Sequence, residues 1–276
     1  MDIFRRAKTS AWWFKGEKHG VSLIDLVQQL FAVPCMMKGK RKIKKIDING
    51  EYAKITFKNI GKPFYFPRTI PLYSLFRVIA ECFYKDDWHY YEIPETMVKK
   101  NDVVVDCGAA EGLFTFLVAP KCSKVFAIEP LSQFINSIKL STKHFDNVAV
   151  IRCALSDKEG KGKISLNDIC SSLTDETEAA EPVNITTIDE LFYKKNIPIN
   201  YLKADIEGYE LAMLNGAVNT IRNNKPKIAI TTYHKPEHAE QIAKFLRDLQ
   251  VNYQIKCKGI EAYTGAPVML HAWVVN

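Results

Sequence analysis

Hydrophobic and polar positions divide the chain into two textures. From residue 102 onward, short apolar runs alternate with amphipathic stretches. Residues 103–106, 124–128, 148–153, 201–204 and 227–231 read as strands. Residues 113–119, 132–144, 209–223 and 236–249 read as helices. Strands that are apolar on both faces, joined by helices, predict a parallel sheet covered on both sides. Residues 253–258 and 268–275 form two last strands with no room for a helix between them. They are expected to pair antiparallel at one edge. A polar stretch, 156–181, interrupts the alternation with Gly160, Gly162 and the acidic run Thr174-Asp-Glu-Thr-Glu178. It reads as a lid or a solvated loop.

The first hundred residues differ. Residues 21–33 suit a short amphipathic helix. Residues 44–58 alternate partially around the turn signal Asn49-Gly50, which predicts a β-hairpin. Gly61 and three prolines make 61–71 a loop, and 72–84 has helical periodicity. The chain therefore divides into an N-terminal helical and β-hairpin addition, 1–95, and an α/β domain, 96–276.

Composition adds limits. With 276 residues, 47% hydrophobic and 25% charged, the chain is neither disordered nor a disulfide scaffold. The net charge of +7 is spread along most of the chain and is densest in 38–45, with six basic residues in eight positions. That run reads as a solvated surface or as a contact for an anionic surface or partner. The seven cysteines form no C-x-x-C pair and, being odd in number, cannot all pair internally. They read as small buried thiols of a reducing compartment. With no membrane-length apolar run and no signal-peptide core, a soluble, cytoplasmic protein is expected.

The sharpest local signal is Val103-Val-Val-Asp-Cys-Gly-Ala-Ala-Glu-Gly112, a buried strand turning through small residues into a helix. Such a turn brings backbone N–H groups and a helix N-terminus close to a ligand. Glu129 ends the next strand, where a carboxylate can accept hydrogen bonds from both ribose hydroxyls. The loop lacks the Lys-Ser or Lys-Thr of a phosphate cradle and, with Ala110, the central glycine of G-x-G-x-x-G. The pair fits an adenosine cofactor. A second strand end, Tyr201-Leu-Lys-Ala-Asp-Ile-Glu-Gly-Tyr-Glu210, sets Asp205 and Glu207 at the same crevice. Glu207 and Glu210 also suit a helix start. Asp205 could join Glu207 as an oxygen ligand to a metal, but no dense His/Asp/Glu cluster supports one, so none is expected. His234, in Thr231-Thr-Tyr-His-Lys-Pro236, is the histidine best placed for base work.

Together these stretches resemble the FkbM family of S-adenosylmethionine-dependent methyltransferases over roughly residues 90–275. The matching motifs are Val105-Asp-Cys-Gly-Ala-Ala-Glu-Gly112, Ile128-Glu-Pro130, Ala154-Leu-Ser-Asp-Lys-Glu-Gly160, Thr187-Ile-Asp-Glu-Leu191, Leu202-Lys-Ala-Asp-Ile-Glu-Gly-Tyr-Glu210 and Tyr233-His-Lys-Pro236. The resemblance implies a Rossmann-like class I methyltransferase fold, with a seven-stranded, mostly parallel sheet in the order 3-2-1-4-5-7-6. It implies S-adenosyl-L-methionine as cofactor and methylation of a hydroxyl, often on a sugar or polyketide. On that model Asp106, Gly108, Ala109 and Gly112 surround the methionine part and Glu129 holds the ribose. Cys153, Ala154 and Ser156 lie near the adenine, and Asp205 and Glu207 face the methyl group and acceptor. His234 is then the first candidate base and acceptor contact, with Asp205 orienting the acceptor or replacing it. Many relatives carry Asn where this chain has Ala110 or Glu111. The alternatives are a nucleic-acid methyltransferase, which lacks support from any RNA-binding motif, a dehydrogenase, and a cofactor-binding protein without catalysis.

Overall fold

The computed structural model describes residues 3–164 and 180–275. The acidic run 174–178 and Cys170 lie outside them. Three helices open the chain: α1 (Ile3–Lys15), α2 (Leu23–Leu30) and α3 (Cys35–Lys42). Ser22 caps α2, exchanging hydrogen bonds with Asp25 in a capping box. Then come β1 (Ile43–Asp47), β2 (Tyr52–Phe57), β3 (Phe64–Pro67) and α4 (Leu72–Phe83). The expected hairpin is β1–β2, and Gly50 takes the positive φ of +84° that the turn requires.

The stretch 61–71, expected to be a loop, contains a third strand. β3 pairs antiparallel with β2 at the sheet edge. Phe64 and Phe66 alternate into the core while Tyr65 points the other way. Their burial outweighs the prolines, and Pro67 is tolerated at the end of an edge strand. Phe64 and Phe57 pack on Phe116 with ring centroids 5.6 and 6.4 Å apart. This core is thus shared between the N-terminal sheet and the domain that follows.

The α/β part comprises β4 (Val103–Cys107), α5 (Leu113–Val118), β5 (Lys124–Ile128), α6 (Ser132–Thr142) and β6 (Val148–Ile151). A small three-stranded sheet follows, built from β7 (Ala154–Leu155), β8 (Gly160–Ile164) and β9 (Glu181–Thr186). The chain continues through β10 (Tyr201–Ala204), α7 (Glu210–Asn215), α8 (Val218–Asn224), β11 (Lys227–Thr231), α9 (His238–Asp248), β12 (Tyr253–Lys258) and β13 (Met269–Val274). The main sheet has the order β12-β13-β11-β10-β4-β5-β6. Numbered by its own seven strands, this is 3-2-1-4-5-7-6, the class I methyltransferase order. Only β13 runs antiparallel to its neighbours, so the last two strands pair as expected.

The single helix expected over 209–223 is two. A Cβ at Gly216 would sit 2.2 Å from the Ser156 carbonyl oxygen, so the chain can pass there only as glycine. Asp189 restarts the helix. Its carboxylate accepts from the backbone N–H of Asn219 and Thr220 at 3.0 and 2.8 Å, capping α8 from the helical turn Asp189–Tyr193. The basic run 38–45 is also not one solvated strip. Lys38 is buried and pairs with Asp86 and Asp87 at 2.9 and 3.7 Å. No described helix is long and apolar enough to cross a membrane.

Candidate active site

A cavity of about 400 Å³ opens at the carboxyl ends of β4, β5, β10 and β11, where an open α/β sheet binds its ligands. One wall is built by the sheet: residues 108–111, Glu129 and Pro130, 153–156 and Asp205–Glu207. The opposite wall comes from the N-terminal addition. It holds Ser74, Arg77, Val78 and Glu81 of α4, with His89 and Tyr91 from the segment after it.

The glycine loop is braced from behind. Asp106 is fully buried and lies outside the cavity lining. It accepts a hydrogen bond from the Thr115 hydroxyl at 2.7 Å and pairs with Lys203 at 2.9 Å. Lys203, also buried, donates to the Gly108 carbonyl at 2.7 Å. Burial works against its charge, but Asp106 and Asp205 hold it protonated. A Cβ at Gly108 would meet the Asp205 carbonyl oxygen at 2.0 Å, so this glycine lets the loop close on β10. Gly112 likewise lies outside the lining, packed on Ile138 of α6.

Gly108 and Ala109 do line the cavity, as do Cys153, Ala154 and Ser156. Glu129 reaches it from the tip of β5. Its two oxygens accept from the N–H groups of Ala110 and Leu131, each at 3.0 Å. Burial pushes its pKa up to about 7 despite these bonds. Glu111 beside it is raised to about 7 by the same cause. Ala110 (φ +47°) and Glu207 (φ +53°) both hold left-handed backbone at the cavity wall, a conformation that costs free energy in a residue with a Cβ.

Asp205 faces the cavity. Its oxygens accept from the Tyr91 hydroxyl at 2.8 Å and the Thr231 hydroxyl at 3.1 Å. Burial opposes its charge, but His89, Lys203 and His234 hold its pKa below the ordinary value. The carboxylate is ionised at neutral pH. Glu210, fully buried, is a hub. It accepts from the backbone N–H of Ile206 and Gly208 and from His234 Nδ1 at 2.9 Å. Burial disfavours its charge, yet His234 and His238 keep it ionised well below the usual range.

His234 departs from the role expected of it. It lies outside the cavity lining, with Nδ1 on Glu210 and Nε2 3.1 Å from Glu207. Burial would lower its pKa, but these carboxylates and Asp205 raise it to about 10. At neutral pH the ring carries both protons and has no lone pair for a substrate. Asp205, Glu210 and His234 bring one candidate metal-ligand atom each within 4.8 Å of one another.

The histidine on the cavity wall is His89. Its Nε2 lies 3.2 Å from the Tyr233 hydroxyl and 3.8 Å from Asp205, and its Nδ1 has no hydrogen-bond partner. Sequence reasoning missed both His89 and Lys203. Nothing near position 89 signals a site. Lys203 did leave a trace, a charge inside the otherwise apolar strand 201–204.

The model of the methyltransferase FkbM domain matches residues 106–255. The hexuronic acid methyltransferase AglP of Haloferax volcanii is 24% identical over 161 residues, covering 57% of this chain and 66% of that enzyme. The crystal structure of an FkbM methyltransferase from Methylobacillus flagellatus superposes with a TM-score of 0.51 at 19% identity, covering 72% of this chain and 54% of that one. The chain thus spans just under two thirds of the first relative and about half of the second. The family match takes in more than half of the sequence, both glycine-loop and Asp205 strand ends included, and the protein belongs to the FkbM methyltransferase-domain family.

Proposed function

We propose that the protein transfers a methyl group from S-adenosylmethionine to a hydroxyl of a sugar or glycan-like acceptor. One observation carries the reading. Glu129 and the 108–110 loop share a single cavity with Asp205, Tyr91 and His89. On this reading a carboxylate that would hold the nucleoside and a wall that would hold the acceptor face one cavity.

When bound, S-adenosylmethionine supplies an activated methyl group on a sulfonium. Glu129 would accept from the ribose hydroxyls, using lone pairs its two backbone contacts leave free. Gly108 and Ala109 would border the methionine part, and Cys153, Ala154 and Ser156 the adenine. Asp106 and Gly112 would serve from behind, by fixing the loop. Asp205 and Glu207 would orient the acceptor, excluding water and aligning its oxygen.

The acceptor's proton must leave as the oxygen is methylated. His89 is the better candidate to take it, because it borders the cavity, whereas His234 lies behind Asp205 and Glu207 and outside the lining. Asp205, ionised beside His89, would stabilise the imidazolium that forms. His234 instead would hold Glu207 and Glu210 in place, and touches the acceptor only through them.

The archaeal relative acts on a hexuronic acid, which makes an acidic sugar the first acceptor to test. Arg77 and Lys163 border the cavity and suit a carboxylate. Incubation with labelled S-adenosylmethionine and uronic-acid oligosaccharides, neutral oligosaccharides or RNA tests the proposal. Label is expected in a sugar. Label in RNA would support the nucleic-acid reading, and cofactor binding with no transfer to any acceptor would support a non-catalytic one.

A further inference from the structure

We propose that the outer surface of α1, α2 and α3 docks the protein onto an anionic lipid bilayer. The first 45 residues hold eleven Lys and Arg against three Asp and Glu, while the whole chain holds 38 against 31. The net positive charge therefore resides in these helices and their immediate continuation. The remainder is close to neutral, which corrects the expectation of an even spread.

Each of the three helices packs by one side. Trp12 and Trp13 of α1 and Leu26 and Leu30 of α2 turn towards Trp88 and Ile260. α3 turns Lys38 and Gly39 inward, with Gly39 against Phe76 of α4. The other sides expose large apolar side chains among charged and polar ones. Phe4 and Phe14 are 81% and 75% accessible, Ile24 and Phe31 70% and 79%, and Met37 50%. Single exposed apolar residues are ordinary, but several large ones on three consecutive helices mark a contact surface. The four-residue link 31–34 spans at most about 14 Å, so α2 and α3 stay neighbours. Exposed Lys8, Lys15, Lys40 and Arg41 lie on the same helices.

Charge decides the partner. A second copy would set one basic surface against another and be repelled. RNA would take the charge but gain little from exposed Ile and Met side chains. An anionic bilayer satisfies both features, taking the apolar side chains into its interface and the cations at its headgroups. The surface also adjoins the cavity. Cys35 Sγ at the start of α3 lies 3.6 Å from the hydroxyl of Tyr73, and Arg77, one turn further along α4, lines the cavity.

Flotation of the full chain with phosphatidylcholine vesicles, with and without phosphatidylglycerol, tests the proposal. Binding is expected only to the anionic vesicles and is expected to weaken with salt. The double variants K40E/R41E and I24S/F31S should each weaken it about tenfold or more, with unchanged circular dichroism and S-adenosylhomocysteine affinity. If I24S/F31S loses thermal stability, K40E/R41E decides alone. Absence of binding to anionic vesicles, or binding unchanged in K40E/R41E, would overturn the proposal. So would a concentration-dependent dimer that I24S/F31S abolishes, or retention of RNA without vesicle binding. None of these readouts uses methyl transfer, so their failure leaves the proposed reaction untouched.

Discussion

The two walls of the cavity are built by different means. The glycine-loop part of the sheet-side wall is local. Asp106, the glycine loop, α5, β5 and Glu129 follow one another within 24 residues, and backbone N–H groups fix the carboxylate. The opposite wall is assembled from afar. Tyr91 reaches Asp205 across 114 residues and His89 reaches Tyr233 across 144. A locally built wall suits a constant ligand, and a wall added by a separate segment can vary with the acceptor. On the proposed reading the 108–111 loop, Glu129 and 153–156 would hold the cofactor, and the N-terminal wall would hold the acceptor together with Asp205 and Glu207.

The largest effect expected is at the strut behind the sheet-side wall. Lys203→Met leaves Asp106 as an uncompensated buried charge, which costs about 3–5 kcal/mol. Urea unfolding would measure it, and a near-neutral result would mean that the ion pair does not brace the loop.

His89 and His234 offer the sharpest contrast. H89A is expected to lower kcat about 10²-fold or more with S-adenosylhomocysteine affinity kept, as for loss of a general base. H234Q is expected to act on stability. His234 has its folded pKa raised from 6.5 to about 10, so its contribution is fully present below pH 6.5 and disappears as pH rises through 10. Thermal midpoints of wild type and H234Q should therefore differ most below pH 6.5 and converge at high pH. A full kcat in H89A with a lost one in a well-folded H234Q would reverse the two roles.

Glu129 should give an effect of about tenfold or more on cofactor affinity when changed to Ala. Its carboxyl has a pKa raised to about 7, and the ionised form is the stronger acceptor for hydroxyls. Wild-type affinity for S-adenosylhomocysteine is expected to rise as pH passes upward through 7, and E129Q to flatten that rise. The smallest effect is at the cavity's outer edge. R77A should raise KM for an acidic acceptor a fewfold and leave cofactor affinity unchanged, since half-exposed Arg77 already pairs with Glu81 at 3.0 Å.

The same contrast explains what could be read from the chain alone. The glycine loop and Glu129 were legible because strand, turn, helix and carboxylate are consecutive, each with its own local signature. The sheet order was legible through the family resemblance, and the antiparallel last pair through the short connection between its strands. β3 was hidden by its glycine and prolines, because only tertiary burial of Phe64 and Phe66 makes it a strand. The break at Gly216 depends on Ser156, 60 residues away, and on a cap from Asp189. His89 carried no mark because its partners come from other strands. His234 stood at the right strand end, yet the three carboxylates around it, which favour its protonated form, come from another strand end and helix. Spacing in sequence reports where a side chain starts and not which charges surround it.

Hydrogen exchange across the chain, with and without S-adenosylhomocysteine, tests the division of the walls most directly. The account predicts added protection in 106–112, 128–131 and 153–156, with little change over 72–91. Protection concentrated in α4 and 84–91, with the glycine loop and Glu129 unaffected, would contradict it.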